Sequence, residues 1–143
     1  MRSTQANGKW WAVPLAVSVI ASSMMLGAAD ASAAVASCSG TLDNPHRSHH
    51  VPGTVNAQSV VKCNVPMTKI TGHVTLVRDD GVRRTSPVNT VWGKSSWRAN
   101  AALRCDGKTH SYTSTVVVNW TSPAGYTPLG GNRSVSKSAK FKC

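Results

Sequence analysis

Apolar and polar residues alternate with a period of two along most of this chain. Val55, Ala57, Ser59, Val61 and Cys63 alternate with Asn56, Gln58, Val60 and Lys62. Ile70, Gly72, Val74 and Leu76 alternate with Thr71, His73 and Thr75. Trp97, Ala99, Ala101, Leu103 and Cys105 alternate with Arg98, Asn100, Ala102 and Arg104. Tyr112, Ser114, Val116, Val118 and Trp120 alternate with Thr113, Thr115, Val117 and Asn119. In the last segment Val135, Ala139, Phe141 and Cys143 share one face, opposite Ser136, Ser138, Lys140 and Lys142. A two-residue period sends successive side chains to opposite faces of a strand, so these runs predict half-buried strands.

Turn signals separate the runs. Asp79-Asp80-Gly81 and Asp106-Gly107 put glycine where a tight hairpin needs positive φ. Asp43-Asn44-Pro45, Pro52-Gly53, Ser122-Pro123-Ala124-Gly125 and Gly130-Gly131-Asn132 read as loops. Glu and Gln, good helix formers, are nearly absent. The expected fold is all-β: a small antiparallel β-sandwich of immunoglobulin-like geometry, stapled by two disulfides. The likeness to immunoglobulin domains is geometric only, because the cysteines do not match their spacing.

The first 33 residues break the pattern. Arg2 and Lys9 precede an apolar run from Trp10 to Leu26, and Ala31-Ser32-Ala33 offers a peptidase site. That order is a secretory signal peptide. A membrane anchor is the competing reading, but the run is short of the ~20 residues a spanning helix needs, and Pro14 and Gly27 interrupt or end it. Residues 1–33 are thus expected to be removed, leaving 34–143 as a single secreted domain without a transmembrane segment.

Cys38, Cys63, Cys105 and Cys143 all fall in that domain. An even count in a short exported chain reads as disulfides. A four-thiolate zinc site would show paired C-x-x-C knuckles, and these cysteines are widely spread. Of the three possible pairings, Cys38–Cys63 with Cys105–Cys143 is favoured, each joining the start of one segment to the end of a neighbour.

Charge is the other strong signal. Sixteen Lys and Arg face five Asp and no Glu, a formal +11. Removing Arg2, Lys9 and Asp30 with the leader leaves 14 cations, four carboxylates and a formal +10. Such a field attracts anionic surfaces and acidic partners, more weakly as salt rises. Outside a bacterial cell these include teichoic acids, lipid headgroups, nucleic acid and acidic proteins; nothing here specifies nucleic acid. Solubility alone is the bland alternative.

The acidic inventory argues against an enzyme. Asp43, Asp79, Asp80 and Asp106 each sit beside turn residues, where Asp serves the backbone. Asp79 and Asp80, adjacent at a hairpin tip, are expected to diverge into water. No Glu offers general acid or base, and no G-x-S-x-G, H-E-x-x-H or phosphate-cradling glycine loop occurs. No cofactor is expected.

Binding candidates are easier to name. His46, His49 and His50 form one cluster in a loop, able to hold zinc or copper but without a carboxylate nearby in sequence to orient them, so no metal site is expected. Trp92, at a loop edge before Gly93, is the best exposed aromatic anchor, with Tyr126 a second aromatic and Arg83, Arg84 and Arg98 as cations. Trp97 and Trp120 are in phase with the core. Lys140 and Lys142 mark the last strand as a charged edge, which resists aggregation or receives a partner's strand. Residues 34–52, polar and rich in Ser and His, are expected to order on a partner, tied at Cys38.

Cys38-Ser39-Gly40, Pro45-His46-Arg47-Ser48-His49, Val51-Pro52-Gly53-Thr54-Val55-Asn56 and Cys63 also carry a resemblance, continued by Asn100-Ala101-Ala102, Cys105, Gly107 and Pro123-Ala124-Gly125-Tyr126-Thr127-Pro128 before the closing cysteine. The domain resembles a family of small exported four-cysteine proteins of actinobacteria. Some of that general type are similar to the adaptor of umbrella-shaped secreted toxin particles, which implies a bridging, non-enzymatic role. The expected function is a secreted binding module for another extracellular or cell-surface protein, or for an anionic envelope polymer. A stand-alone cationic antimicrobial effector, or an inhibitor of extracellular enzymes, is the alternative.

Overall fold

Strands β1 (Ala34–Val35), β2 (Cys38–Leu42), β3 (His46–Arg47), β4 (Thr54–Arg78), β5 (Arg83–Thr85), β6 (Asn89–Arg104), β7 (Thr109–Thr121), β8 (Tyr126–Thr127) and β9 (Gly130–Lys142) follow one another through the described residues of this computed structural model. It describes residues 32–143. The expected export leader lies outside the described residues, apart from its last two positions. Among the described residues, no helix is long and apolar enough to cross a membrane.

Two of the expected strands are one. The runs 55–63 and 70–76 both lie in β4, and they differ in phase. Odd-numbered Val55, Ala57, Ser59 and Val61 are buried in its first half, even-numbered Ile70, Val74 and Leu76 in its second. The partner strand explains the change. β6 runs antiparallel along both halves, pairing Ser96 with Lys62 and then Lys94 with Met67. Cys63, Asn64, Val65 and Pro66 therefore oppose Ser95 alone, an excess of three residues. An odd excess inverts which face each later side chain takes. Pro66 fits there because it has no N–H to give a ladder. β6 keeps its phase, with Trp97, Ala101 and Leu103 buried and Val91 packed against the same core.

The β4–β6 ribbon doubles back at this bulge, so its halves face each other across the core. Trp97, on the first half, donates its indole N–H to the Asn89 carbonyl at 2.9 Å on the second. Its ring covers Gly72, where a Cβ would sit 3.0 Å from the ring and 2.5 Å from the Val117 carbonyl. Only glycine leaves that room. β2 and β3 flank the first half of β4, while β5 and β7 flank the second, and β9 lies outside β7. The result is an all-β, antiparallel, curled sheet in which β2, β9 and β6, which pairs only with β4, each keep an open edge.

Both disulfides form as expected, Cys38–Cys63 and Cys105–Cys143. Cys38 and Cys63 are direct cross-strand partners on β2 and β4, within one sheet. An immunoglobulin bridge instead joins two sheets.

Three expectations need correction. Asp79-Asp80-Gly81 does close a hairpin, with Gly81 at φ +90 and Arg78 N–H donating to the Val82 carbonyl. Asp106-Gly107 does not: Gly107 has φ +79, but β6 and β7 are not paired, and the segment crosses from one layer to the other. Residues 34–52 do not hang free. They carry β1, β2 and β3, and Ala36 and Leu42 are buried because β2 covers the first half of β4. Finally, Gly130-Gly131-Asn132 is not a loop: it opens β9, paired with Thr121, Trp120 and Asn119 of β7.

Candidate functional site

Because the ribbon doubles back, the end of β4, the end of β6 and the start of β7 meet at one end of the domain. Three of the four carboxylates of the described residues collect there. The Arg78 guanidinium donates to both Asp80 oxygens, at 2.9 and 2.7 Å, and lies 3.3 Å from Asp106. His110 sets Nδ1 2.6 Å from Asp79 and Nε2 2.9 Å from Asp106. Both ring nitrogens meet carboxylate oxygens, which only accept, so a doubly protonated imidazolium satisfies both.

Each carboxylate also caps backbone, as its turn position suggested. Asp79 accepts from Ser111 N–H, Asp80 from Val82 N–H and Asp106 from Lys108 N–H. Asp79 and Asp80 do diverge and both stay exposed to water, while each also meets protein partners. The Ser111 amide and His110 hold Asp79 below the usual carboxylate range, and the Lys108 amide, with His110 and Arg78, does the same for Asp106. Arg78 brings Asp80 down to about 2. The Asp79 and Asp106 hydrogen bonds push His110 up.

Asp80, Asp106 and His110 place ligand atoms within 4.8 Å of one another, a spacing that suits a metal ion. Arg78 already supplies positive charge to both carboxylates, so a cation would compete with a guanidinium that cannot give up its proton. The cluster is a closed ion-pair network. Sequence reasoning passed over His110 because its partners lie on separate turns; the one local signal was its place four residues after Asp106.

This network predicts a pH window. His110, raised in the folded state, contributes stability that is full below its ordinary value near 6.5 and is lost as pH rises through the folded value. The lowered aspartates contribute above their ordinary 3.8 and lose it as pH falls through the folded values. Thermal midpoints should therefore peak between about pH 4 and 6.5. His110→Gln should flatten the alkaline limb and leave the Asp80-dependent acid limb in place; an unchanged alkaline limb would contradict the pairing.

The other sequence candidates are dispersed. His46 lies on β3 and donates Nδ1–H to the Asn44 carbonyl, with its ring stacked on His49 at 6.4 Å; His50 is exposed in the next turn. Among the described residues these three form no metal-ligating group. Arg83 and Arg84 are exposed on β5, and Arg98 is exposed on β6 opposite Val60. Trp92 is 62% exposed, with Lys69 Nζ 5.1 Å from its ring centroid. Tyr126 is half-buried on β8, which pairs with β1. Trp120 is half-buried over Gly131. Lys140 and Lys142 stand on the outer side of β9.

Two of the open edges form a second feature. β2 and β9 approach without pairing, and Leu42, Val61, Val116, Val118, Val135 and Arg133 line the seam between them. Arg133 and Lys137 share the inner side of β9 with Val135, which places charge where a bare edge would otherwise pair with copies of itself. From Gly130 to Lys142 this strand has four cations and no carboxylate.

In comparisons with protein families, curated proteins and solved structures, the chain has no match.

Proposed function

We propose that this protein is an exported, non-enzymatic binding module that engages another extracellular protein by accepting one of its strands at the β2/β9 seam. The observation that carries this reading is the pair of unpaired edges bordering one apolar-floored seam. Strand addition satisfies backbone groups that an edge leaves open, and the apolar side chains lining the seam give an added strand a surface to pack on. The cations Arg133, Lys137, Lys140 and Lys142 select an acidic strand. Disulfides suit the oxidising compartment to which the N-terminal signal directs the chain. The resemblance to small four-cysteine actinobacterial proteins, and through some of them to a toxin-particle adaptor, supports a bridging role. The carboxylates that general acid–base chemistry would need are committed to Arg78, His110 and backbone amides.

Tagged protein recovered from the producing culture's supernatant should bring down a stoichiometric secreted protein. Lys137→Glu with Lys140→Glu should reduce that recovery at least tenfold without lowering the module's own yield. Absence of a partner, combined with growth inhibition by the purified module alone, would replace this reading with a stand-alone cationic effector.

A further inference from the structure

The end of the domain that holds the Asp–His–Arg network also contains an open cleft of about 480 Å³. Thr54 and Arg78, the two ends of β4, both line it, together with Arg84, Arg104 and Asp106. A second concavity of about 370 Å³ adjoins it, sharing Thr54, Arg104 and Cys105 and adding Val51, Pro52 and Gly53. Arg78 is neutralised by Asp80 and Asp106. Among the described residues, no carboxylate forms a salt bridge with Arg84 or Arg104. Two free guanidinium groups thus line one concavity, and one of them also lines its neighbour.

We propose that this double cleft binds the repeating phosphate groups of a linear anionic polymer, with Arg84 and Arg104 as its principal cations. Guanidinium forks match phosphate oxygens two at a time. Consecutive concavities sharing Arg104 suit a ligand whose anions repeat along a chain. A protein partner is the less favoured occupant, because binding hot spots draw on aromatic anchors and no aromatic side chain lines either concavity. Arg78 and protonated His110 offset two of the three carboxylates at this end, and Arg84 with Arg104 outweighs the one that is left. The cleft deepens the binding-module reading by adding a ligand class. It shares no lining residue with the β2/β9 seam, so either can fail alone.

End-labelled polyphosphate of defined length tests this by fluorescence anisotropy over a salt series. Arg84→Gln with Arg104→Gln should weaken binding at least tenfold and make the log–log salt dependence shallower by about 1.4, as loss of two phosphate contacts to a flexible chain requires. Lys62→Gln with Lys94→Gln removes the same charge from exposed positions on β4 and β6, outside the cleft, and should change affinity less than threefold. Equal losses in the two pairs would show that only net charge matters and would overturn the site. Polyglutamate bound as tightly as polyphosphate, with the same loss in the first pair, would reassign the cleft to an acidic protein. In the unsubstituted protein, the Arg84 and Arg104 side-chain N–H resonances should shift first on titration with polyphosphate; uniform shifts over all arginines would also refute it.

Discussion

Trp97→Ala should lower the unfolding free energy by about 3–5 kcal/mol, measured by denaturant titration with the slope unchanged. That is a large share of the ~5–15 kcal/mol typical of a domain. The indole is 2% exposed and is the largest of the fully buried side chains. It also fastens the two layers together, through its N–H to Asn89 and its ring against Gly72. Removing it leaves a cavity, an unpaired carbonyl and a glycine with nothing over it, and a backbone bent at a three-residue bulge has little means to close that space. A loss below about 1 kcal/mol would mean that the halves of the ribbon are held chiefly by something else.

Breaking both disulfides should have the larger effect. The bridges span 25 and 38 residues, and loop-closure entropy assigns them about 3.5 and 4 kcal/mol respectively. Their sum approaches the whole stability of such a domain, so the reduced protein should be largely unfolded at 37 °C by circular dichroism. Separate pairs of Cys→Ser substitutions should divide the loss. Cys38 and Cys63 fasten edge strand β2, whereas Cys105 and Cys143 join the end of β6 to the end of β9. Each bridge therefore secures one border of the seam. A reduced protein that keeps its strands and its thermal midpoint would contradict this account.

Much of the fold was legible because period-two alternation reports directly which face of a strand is buried. The runs at 55–63, 70–76 and 112–120 each fall within a strand, as does 97–105 except for Cys105. What alternation cannot report is that two runs of opposite phase belong to one strand. Only the ladder to β6, with Ser95 facing four residues, reveals the bulge between Lys62 and Met67. The same limit applies to the charged network. Asp79, Asp106 and His110 look like isolated turn and strand residues until the ribbon doubles back and brings their turns together. Glycine at 107 was legible as a positive-φ position, but not as a crossing between layers, since φ specifies a local bend and not a partner. Among binding candidates, Trp92 is exposed as expected but lies within β6, not at the loop edge its place before Gly93 suggested, while Arg104 and Lys137 draw their interest from neighbours that only the folded chain supplies.

The claim that matters most is that this module acts through contact at its open seam. Amide hydrogen exchange on the module alone, and on the complex recovered with its secreted partner, tests it most directly. Slowed exchange confined to Ser39–Thr41 and Ser134–Phe141 is the expected result, with the strand carrying Trp92 unchanged. Protection around Trp92 or Tyr126, with both edge strands exchanging as before, would contradict it.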